Sequence, residues 1–460
     1  MHISYKAEAT APSGMQLIGN LAKVISRARI KDGLQPVADG TLGIPSTPVI
    51  PSALTDIKKY IAELEANPAP IQYTHWQGTP EIREALAELF AEDYKIPCTA
   101  EHMLLTAGNT SGMNAVYKVL EGPYIATVPY YPLYSDLAKE YGKDFEPLIN
   151  ILKTGLTANG VRNAFESLSK KQKCSITDVK GTLIINLPGN PVGTLPSKEE
   201  LSKIADVLRQ SPGINLVFDD VYSDVMLGKT VDGKAPEFTH LLTLAPDLAD
   251  RSVVLRTFSK NGLGGERIGI LVAPHEIIEP LKTAHYNLVL HAPLLGQIAA
   301  VPTYRALVQD PDTRQAISDY YAPKVAYMRG ALKECGTDAL GEAFTHGYIV
   351  VGDLHEMIGT PLSKEAVALL TKICKAQPEF TGQLMSTTIK SDFHIALQLL
   401  ADTKNPVGVT PLSEFGTKPE DGFVRISCSA DTAALKRIGE GIQSAIEKAR
   451  ALNNYKSTGT

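Results

Sequence analysis

Through its first three hundred residues the chain alternates between two hydrophobic periods. Short runs of β-branched and apolar residues at 102–107, 124–128, 181–186, 214–218 and 253–257 read as buried strands. Between them, stretches with apolar residues three or four apart read as helices that each turn one face to a core: 54–65, 81–94, 113–120, 198–209, 276–288 and 293–308. Pro80 suits the first turn of the second of these. Near the start, residues 21–30 predict a short amphipathic helix behind a weakly patterned arm that ends at about residue 20. Residues 150–180 read as one helix flanked by polar linkers.

The alternation stops near residue 310. A long helical pattern follows at 317–335, where Pro323 is expected to kink or restart the helix. Then come a strand at 347–351, helices at 364–372 and 431–450, and two runs, 407–411 and 422–428, that read as paired strands. Strands separated by helices predict an α/β fold with a mostly parallel, doubly wound sheet between helices. The later segments predict a smaller α+β domain. The expected division is 1–50 as an N-terminal arm and part of the small domain, 51–310 as the large ligand-binding domain, and 311–460 as the small C-terminal domain.

A chain of 460 residues with 44% hydrophobic and 21% charged residues suits a globular protein of two domains. A net charge of -5 without long basic runs argues against nucleic acid as the main partner. The five cysteines, Cys98, Cys174, Cys335, Cys374 and Cys428, form neither a CxxC pair nor a zinc spacing, so no metal is expected and a reducing compartment is. The first residues lack a charged segment followed by an apolar one, and no apolar run reaches membrane length. A cytoplasmic protein with no membrane partner is the expectation.

The candidate chemistry gathers just past the carboxyl ends of the predicted strands. Lys260 stands where the run 253–257 breaks into a glycine-rich turn that leads to Arg267. An ammonium at the mouth of a buried strand is costly to desolvate, and the cost disappears if the amine is consumed in a Schiff base with an aldehyde. Gly108, Asn109, Thr110 and Ser111 join a strand to a helix and leave N–H groups and hydroxyls at a helix N-terminus, an anion site or a plain N-cap. Tyr131 leaves the strand 124–128 as a ring able to stack on a flat heterocycle or to cap the core. Asn190 lies in a loop with two prolines and two glycines, either as a simple Asn-Pro turn or as a donor to a ligand. Asp219 and Asp220 end the run at 214–218, followed by Tyr222. Adjacent residues of an extended segment face opposite ways, so only one acid can turn inward, where it would pair with a protonated ring nitrogen. One ligand uses all of these groups: pyridoxal phosphate has the phosphate, the ring, the ring nitrogen, the phenolic oxygen and the aldehyde.

The sequence resembles a fold-type I pyridoxal-phosphate enzyme of the class I/II aminotransferase family, from about Gly43 to Ser429. The most specific pieces are Pro188-Gly189-Asn190-Pro191-Val192-Gly193, Asp219-Asp220-Val221-Tyr222, and Ser259-Lys260 leading to Arg267-Ile268-Gly269. Gly422-Phe423-Val424-Arg425-Ile426-Ser427 resembles the family's terminal arginine motif. The resemblance implies an aspartate-aminotransferase-like fold and a transaminase acting on an amino acid and a 2-oxo acid. It makes Lys260 the residue of the internal aldimine and the base that shuttles the proton, and Asp219 the partner of the pyridine nitrogen. Asn190 and Tyr222 would hold the phenolic oxygen, and Tyr131 would stack on the ring. Gly108, Asn109, Thr110, Thr257 and Arg267 would hold the phosphate, and Gly43, Asn190 and Arg425 the substrate. Tyr73, followed by Gly78, resembles the aromatic that reaches the neighbouring subunit's cofactor phosphate, which implies a homodimer.

Val192 stands where the family usually has threonine. Where aspartate-specific members carry a second arginine, Tyr286-Asn287-Leu288 to His291 appear instead, which counts against a dicarboxylate specialist. The motifs hold a cofactor without choosing the bond that breaks, so a lyase, decarboxylase or replacement enzyme on the same scaffold is the alternative. A non-catalytic regulator is a third reading, although the segment before residue 40 is short and not basic.

Overall fold

The computed structural model describes residues 13–228, 238–340, 346–376 and 384–458. The chain divides into two compact units, one of Ile44–Ala322 with Glu342–Gly347, the other of Met1–Gly43, Pro323–Gly341 and Tyr348–Thr460.

The larger unit is built on a seven-stranded sheet of β1 (Met103–Thr106), β2 (Tyr124–Val128), β3 (Phe145–Asn150), β4 (Gly181–Ile185), β5 (Ile214–Asp220), β6 (Ser252–Thr257) and β7 (Gly269–Val272). Their spatial order is β1-β7-β6-β5-β4-β2-β3. All neighbouring pairs are parallel except those of β7, which runs antiparallel to both β1 and β6. β7 therefore starts where β1 and β6 end, and Gly269 pairs with both Thr106 and Thr257. This brings the turn before β7 to the carboxyl edge of the parallel strands, where such sheets hold their ligands.

Near-continuous apolar runs fit strands covered on both faces. Val217, Val253, Leu255 and Leu271 pack into one buried cluster with Met113 and Val116 of the helix Asn109–Val119 and with Ile278 and Leu281 of the helix His275–Val289. Burying each of these side chains contributes about 1.5–3 kcal/mol.

The smaller unit holds a three-stranded antiparallel sheet in which Phe423–Ser427 lies between Thr410–Pro411 and Ile349–Asp353. Ala38–Asp39 pairs in parallel with Val407–Gly408. The long helix Thr432–Thr458 buries Leu435, Ile438, Ile442 and Ile446 on one stripe.

Several elements differ from the sequence reading. The first helix spans Gly14–Lys31, longer than expected, because Ser13 and Gln16 form a reciprocal capping box. Residues 1–12 of the expected arm lie outside the described residues. The helix after β1 begins at Asn109, so the small residues expected in a turn form its first turn. The stretch 150–180 does hold one helix between linkers, Ala158–Gln172, and differs only in that its first residue ends β3, a strand the sequence reading lacked. Pro323 does not restart its helix, since a single helix spans Pro311–Glu334 with Pro323 inside it. The run at 407–411 is two short strands with different partners. Among the described residues, no helix is long and apolar enough to cross a membrane, and no cluster of His, Cys, Asp or Glu is placed to hold a metal ion.

Candidate active site

Asp219 lies at the carboxyl end of β5, 4% exposed, on the face of the sheet that carries Val217 and Leu255. Asn109 Nδ2 donates to its Oδ1 at 2.8 Å and Tyr134 Oη to its Oδ2 at 2.6 Å. Burial pushes the Asp219 carboxyl up, while the bonds from Tyr134 and Asn109 and the charge of Lys260 pull it back. Asp220 leaves the opposite face, where its Oδ2 accepts from Tyr94 Oη at 2.8 Å. Strand alternation thus sends one acid to each side, and only Asp219 faces the candidate site.

Lys260 follows β6 in a short π-type turn, Ser259–Leu263, and its Nζ lies 5.3 Å from the centroid of the buried Tyr222 ring. Thr47 Oγ1 donates to the Lys260 carbonyl at 3.2 Å. Gly262, with φ 88°, lets the turn press against the chain at Pro48, whose carbonyl oxygen would stand 2.6 Å from any added Cβ.

Gly108 and Arg267 meet at the head of the helix Asn109–Val119. A Cβ at Gly108 would lie 2.4 Å from an Arg267 terminal nitrogen, and φ there is 77°. Arg267 itself has φ 48°, a left-handed conformation that costs an L-residue on the order of 1–3 kcal/mol. Its guanidinium donates to the Gly264 carbonyl at 3.2 Å and to Ser259 Oγ at 3.4 Å. Thr257 Oγ1 is 2.9 Å from Ser259 Oγ. The first N–H groups of a helix have no partner within it, so those of Asn109 and Thr110 stand at the helix end that the Arg267 guanidinium approaches at Gly108.

Asn190 is tied to its own loop, its N–H donating to Asn186 Oδ1 at 3.0 Å, and Asn186 Nδ2 donates to the Asp219 carbonyl at 2.5 Å. Tyr131 meets Tyr134 edge to face, ring centroids 5.8 Å apart. Tyr73 is 81% exposed and its ring touches His291 edge-on.

Gly43 and Arg425 belong to the smaller unit and are close together there. A Cβ at Gly43 would lie 2.9 Å from an Arg425 terminal nitrogen. Arg425 is buried on the strand Phe423–Ser427, donates to the Thr41 carbonyl at 3.3 Å and lies over the Phe415 ring.

Three residues of this constellation had no role assigned from the sequence, although Ser259 was part of the Lys260 motif. Tyr134 sits on the helix Leu133–Tyr141, Asn186 just past β4, and Ser259 next to Lys260. Only Ser259 was adjacent to a candidate. The other two act by holding Asp219, and nothing in their local pattern signals a partner so far along the chain.

A family model described as aminotransferase class I and II matches residues 43–442. Over 238 residues the chain is 28% identical to a probable aspartate/prephenate aminotransferase from Rickettsia bellii, covering 50% of this chain and 55% of that one. Over 224 residues it is 30% identical to 1-aminocyclopropane-1-carboxylate synthase 11 from Arabidopsis thaliana, covering 46% of each. The chain thus spans about half the length of the curated relatives it matches. Among solved structures it is similar to the aspartate aminotransferase of Rhizobium meliloti, with a TM-score of 0.76, 22% identity, and coverage of 97% of this chain and 99% of that one. That likeness shows the aspartate-aminotransferase-like fold.

Proposed function

The chain belongs to the class I and II aminotransferase family, and on that premise we propose that it is a pyridoxal-phosphate-dependent transaminase moving an amino group between an L-amino acid and a 2-oxo acid. The observation that carries this reading is the Asp219 carboxylate, buried, gripped by two neutral donors and acted on by the Lys260 charge. A buried carboxylate is stable as an anion only beside positive charge or several donors, and a protonated pyridine nitrogen meets that need.

The remaining residues also fit the cofactor. Asn190 Oδ1 is buried without a hydrogen-bond partner. Its amide, turned about the last side-chain bond, presents an NH₂ group to a phenolic oxygen. Glycine at position 108 keeps the helix N-terminus open beside Arg267, where a phosphate would be held by Gly108, Asn109, Thr110, Thr257, Ser259 and Arg267. Bound there, pyridoxal phosphate supplies an aldehyde that joins covalently to amines and a ring that takes up the electron pair released at a substrate α-carbon.

The residues of the chain do the rest. Asp219 keeps the ring nitrogen protonated, Asn190 and Tyr222 stabilise negative charge on the phenolic oxygen, and Tyr131 supplies an aromatic face. Lys260 Nζ anchors the cofactor and removes the proton from the substrate α-carbon as general base. Arg425, kept close to the backbone by Gly43, binds the substrate α-carboxylate with its planar fork. Exposed Ile71, Tyr73, Tyr286 and Leu288 support a homodimer, in which Tyr73 would serve the partner's site. Five free thiols support a cytoplasmic location.

The alternative is a lyase, decarboxylase or replacement enzyme on the same scaffold, because the residues that would hold the cofactor do not choose the bond that breaks. One experiment separates the two. Given an amino acid donor alone, a transaminase converts its bound cofactor to the amino form once per site and yields the matching 2-oxo acid, and a different 2-oxo acid restores the spectrum. Ammonia or another small product released over many turnovers, with the cofactor unchanged, would displace transamination.

A further inference from the structure

On the face of the sheet turned away from Asp219, Arg256 is wholly buried near the end of β6. The register sets it beside Asp220, so both side chains leave the sheet on the same side. Its guanidinium donates to Asp224 Oδ1 at 2.6 Å and to Ser223 Oγ at 2.7 Å, and it lies 4.6 Å from the centroid of the Tyr304 ring. Asp93 Oδ2 is 3.5 Å away. Arg314 reaches Asp93 at 2.8 Å and Asp224 at 3.4 Å. Two guanidiniums thus face two carboxylates, with Arg256 wholly buried and Arg314 at the partly exposed end of the cluster, and none of these groups has a part in the function proposed above.

A buried ion pair repays little more than its own desolvation, so its net contribution to stability is small compared with the geometry it enforces. Here the geometry joins two site-bearing segments. Ser223 and Asp224 directly follow Tyr222, and Arg256 directly precedes Thr257 in the strand that delivers Lys260. One rigid fork grips both residues after Tyr222, a bidentate hold that a lysine ammonium cannot reproduce. We propose that Arg256 is a positioning residue, which acts through Ser223 and Asp224 to fix Tyr222 relative to the cofactor anchored at Lys260. The proposal rests on the cofactor reading above.

The test uses the full chain loaded with pyridoxal phosphate and reads two quantities, the melting temperature and the pH midpoint of the bound cofactor's visible band. Loss of a donor to the phenolic oxygen disfavours its deprotonated form, so Tyr222→Phe raises the midpoint by about one unit. Arg256→Lys and Ser223→Ala raise it too, the second by less. Arg256→Lys combined with Tyr222→Phe raises it no further than Tyr222→Phe alone, because both changes act through one hydroxyl. A midpoint that stays at the wild-type value in Arg256→Lys and Ser223→Ala, whatever happens to the melting temperature, overturns the proposal. So does a double variant whose shift is the sum of the two. If Arg256→Lys fails to fold, Ser223→Ala alone and with Tyr222→Phe decides between the same outcomes. A wild-type protein that stays colourless overturns the cofactor reading and the proposal together, whereas a coloured wild type with unmoved variants overturns the proposal alone.

Discussion

Tyr134 Oη donates to Asp219 Oδ2 at 2.6 Å, joining two buried residues 85 positions apart in the chain. Tyr134 is itself held neutral, its phenol pushed well above the ordinary range by burial and by the neighbouring Asp219. The bond therefore has a fixed direction, phenol to carboxylate, and it offsets part of the cost of burying the Asp219 charge.

Tyr134→Phe keeps the ring and removes the donor. The Asp219 carboxyl then rises further, the anion is less available to a ring nitrogen, and cofactor affinity falls roughly tenfold, as expected for about 1.5 kcal/mol lost from a charged hydrogen bond. Titration of the apoprotein with pyridoxal phosphate measures this, and unchanged affinity would remove Tyr134 from the account.

Gly108→Ala places a methyl group 2.4 Å from an Arg267 nitrogen, at a backbone φ of 77° that alanine resists. The guanidinium must move away from the helix N-terminus. The expected result is a folded protein whose pyridoxal phosphate affinity falls by roughly ten- to a hundredfold, as for one lost charged contact. Binding of pyridoxal without the phosphate, read in parallel, should change little.

In the smaller unit, Arg425→Lys exchanges a planar fork for a point charge. Turnover per KM falls by roughly a hundredfold, equivalent to about 2.7 kcal/mol, with cofactor affinity unchanged. Gly43→Ala puts a Cβ 2.9 Å from an Arg425 nitrogen and acts in the same direction, less severely. Steady-state kinetics beside a cofactor titration separate the two effects.

Stability should depend on pH from both sides. Burial lowers His285 and His346 to about 4 each and His240 to about 3. A depressed histidine contributes stability that is complete above its unfolded value near ~6.5 and is lost as pH falls through the folded value. Asp220, raised by burial to about 8, runs the other way. Its contribution is complete below the unfolded value near ~3.9 and is lost as pH rises towards 8. Thermal melts across this range should fall off on both sides of a maximum, and Asp220→Asn should flatten the alkaline limb. An alkaline limb as steep in Asp220→Asn as in wild type would contradict the assignment.

The sheet was legible because its central strands are covered on both faces, so β2, β4, β5 and β6 appear as near-continuous apolar runs. β3 was not, since it is an edge strand with Glu146, Pro147 and Asn150 among its six residues. The helix Asp392–Leu400 was hidden for the opposite reason, because nearly every residue is buried and no amphipathic period remains. In the candidate site, Lys260, Asp219 and Arg267 stood out as charges at the ends of apolar strands. Tyr134, Asn186 and Arg256 did not, because each works through contacts made only once distant segments have packed.

The central claim concerns Lys260 and is tested by borohydride reduction of the protein loaded with pyridoxal phosphate, then digestion and mass mapping. The account predicts the reduced cofactor mass on the peptide that contains Lys260, one per chain, and none on Lys260→Ala. Label spread over exposed lysines, or equal labelling of Lys260→Ala, would contradict it.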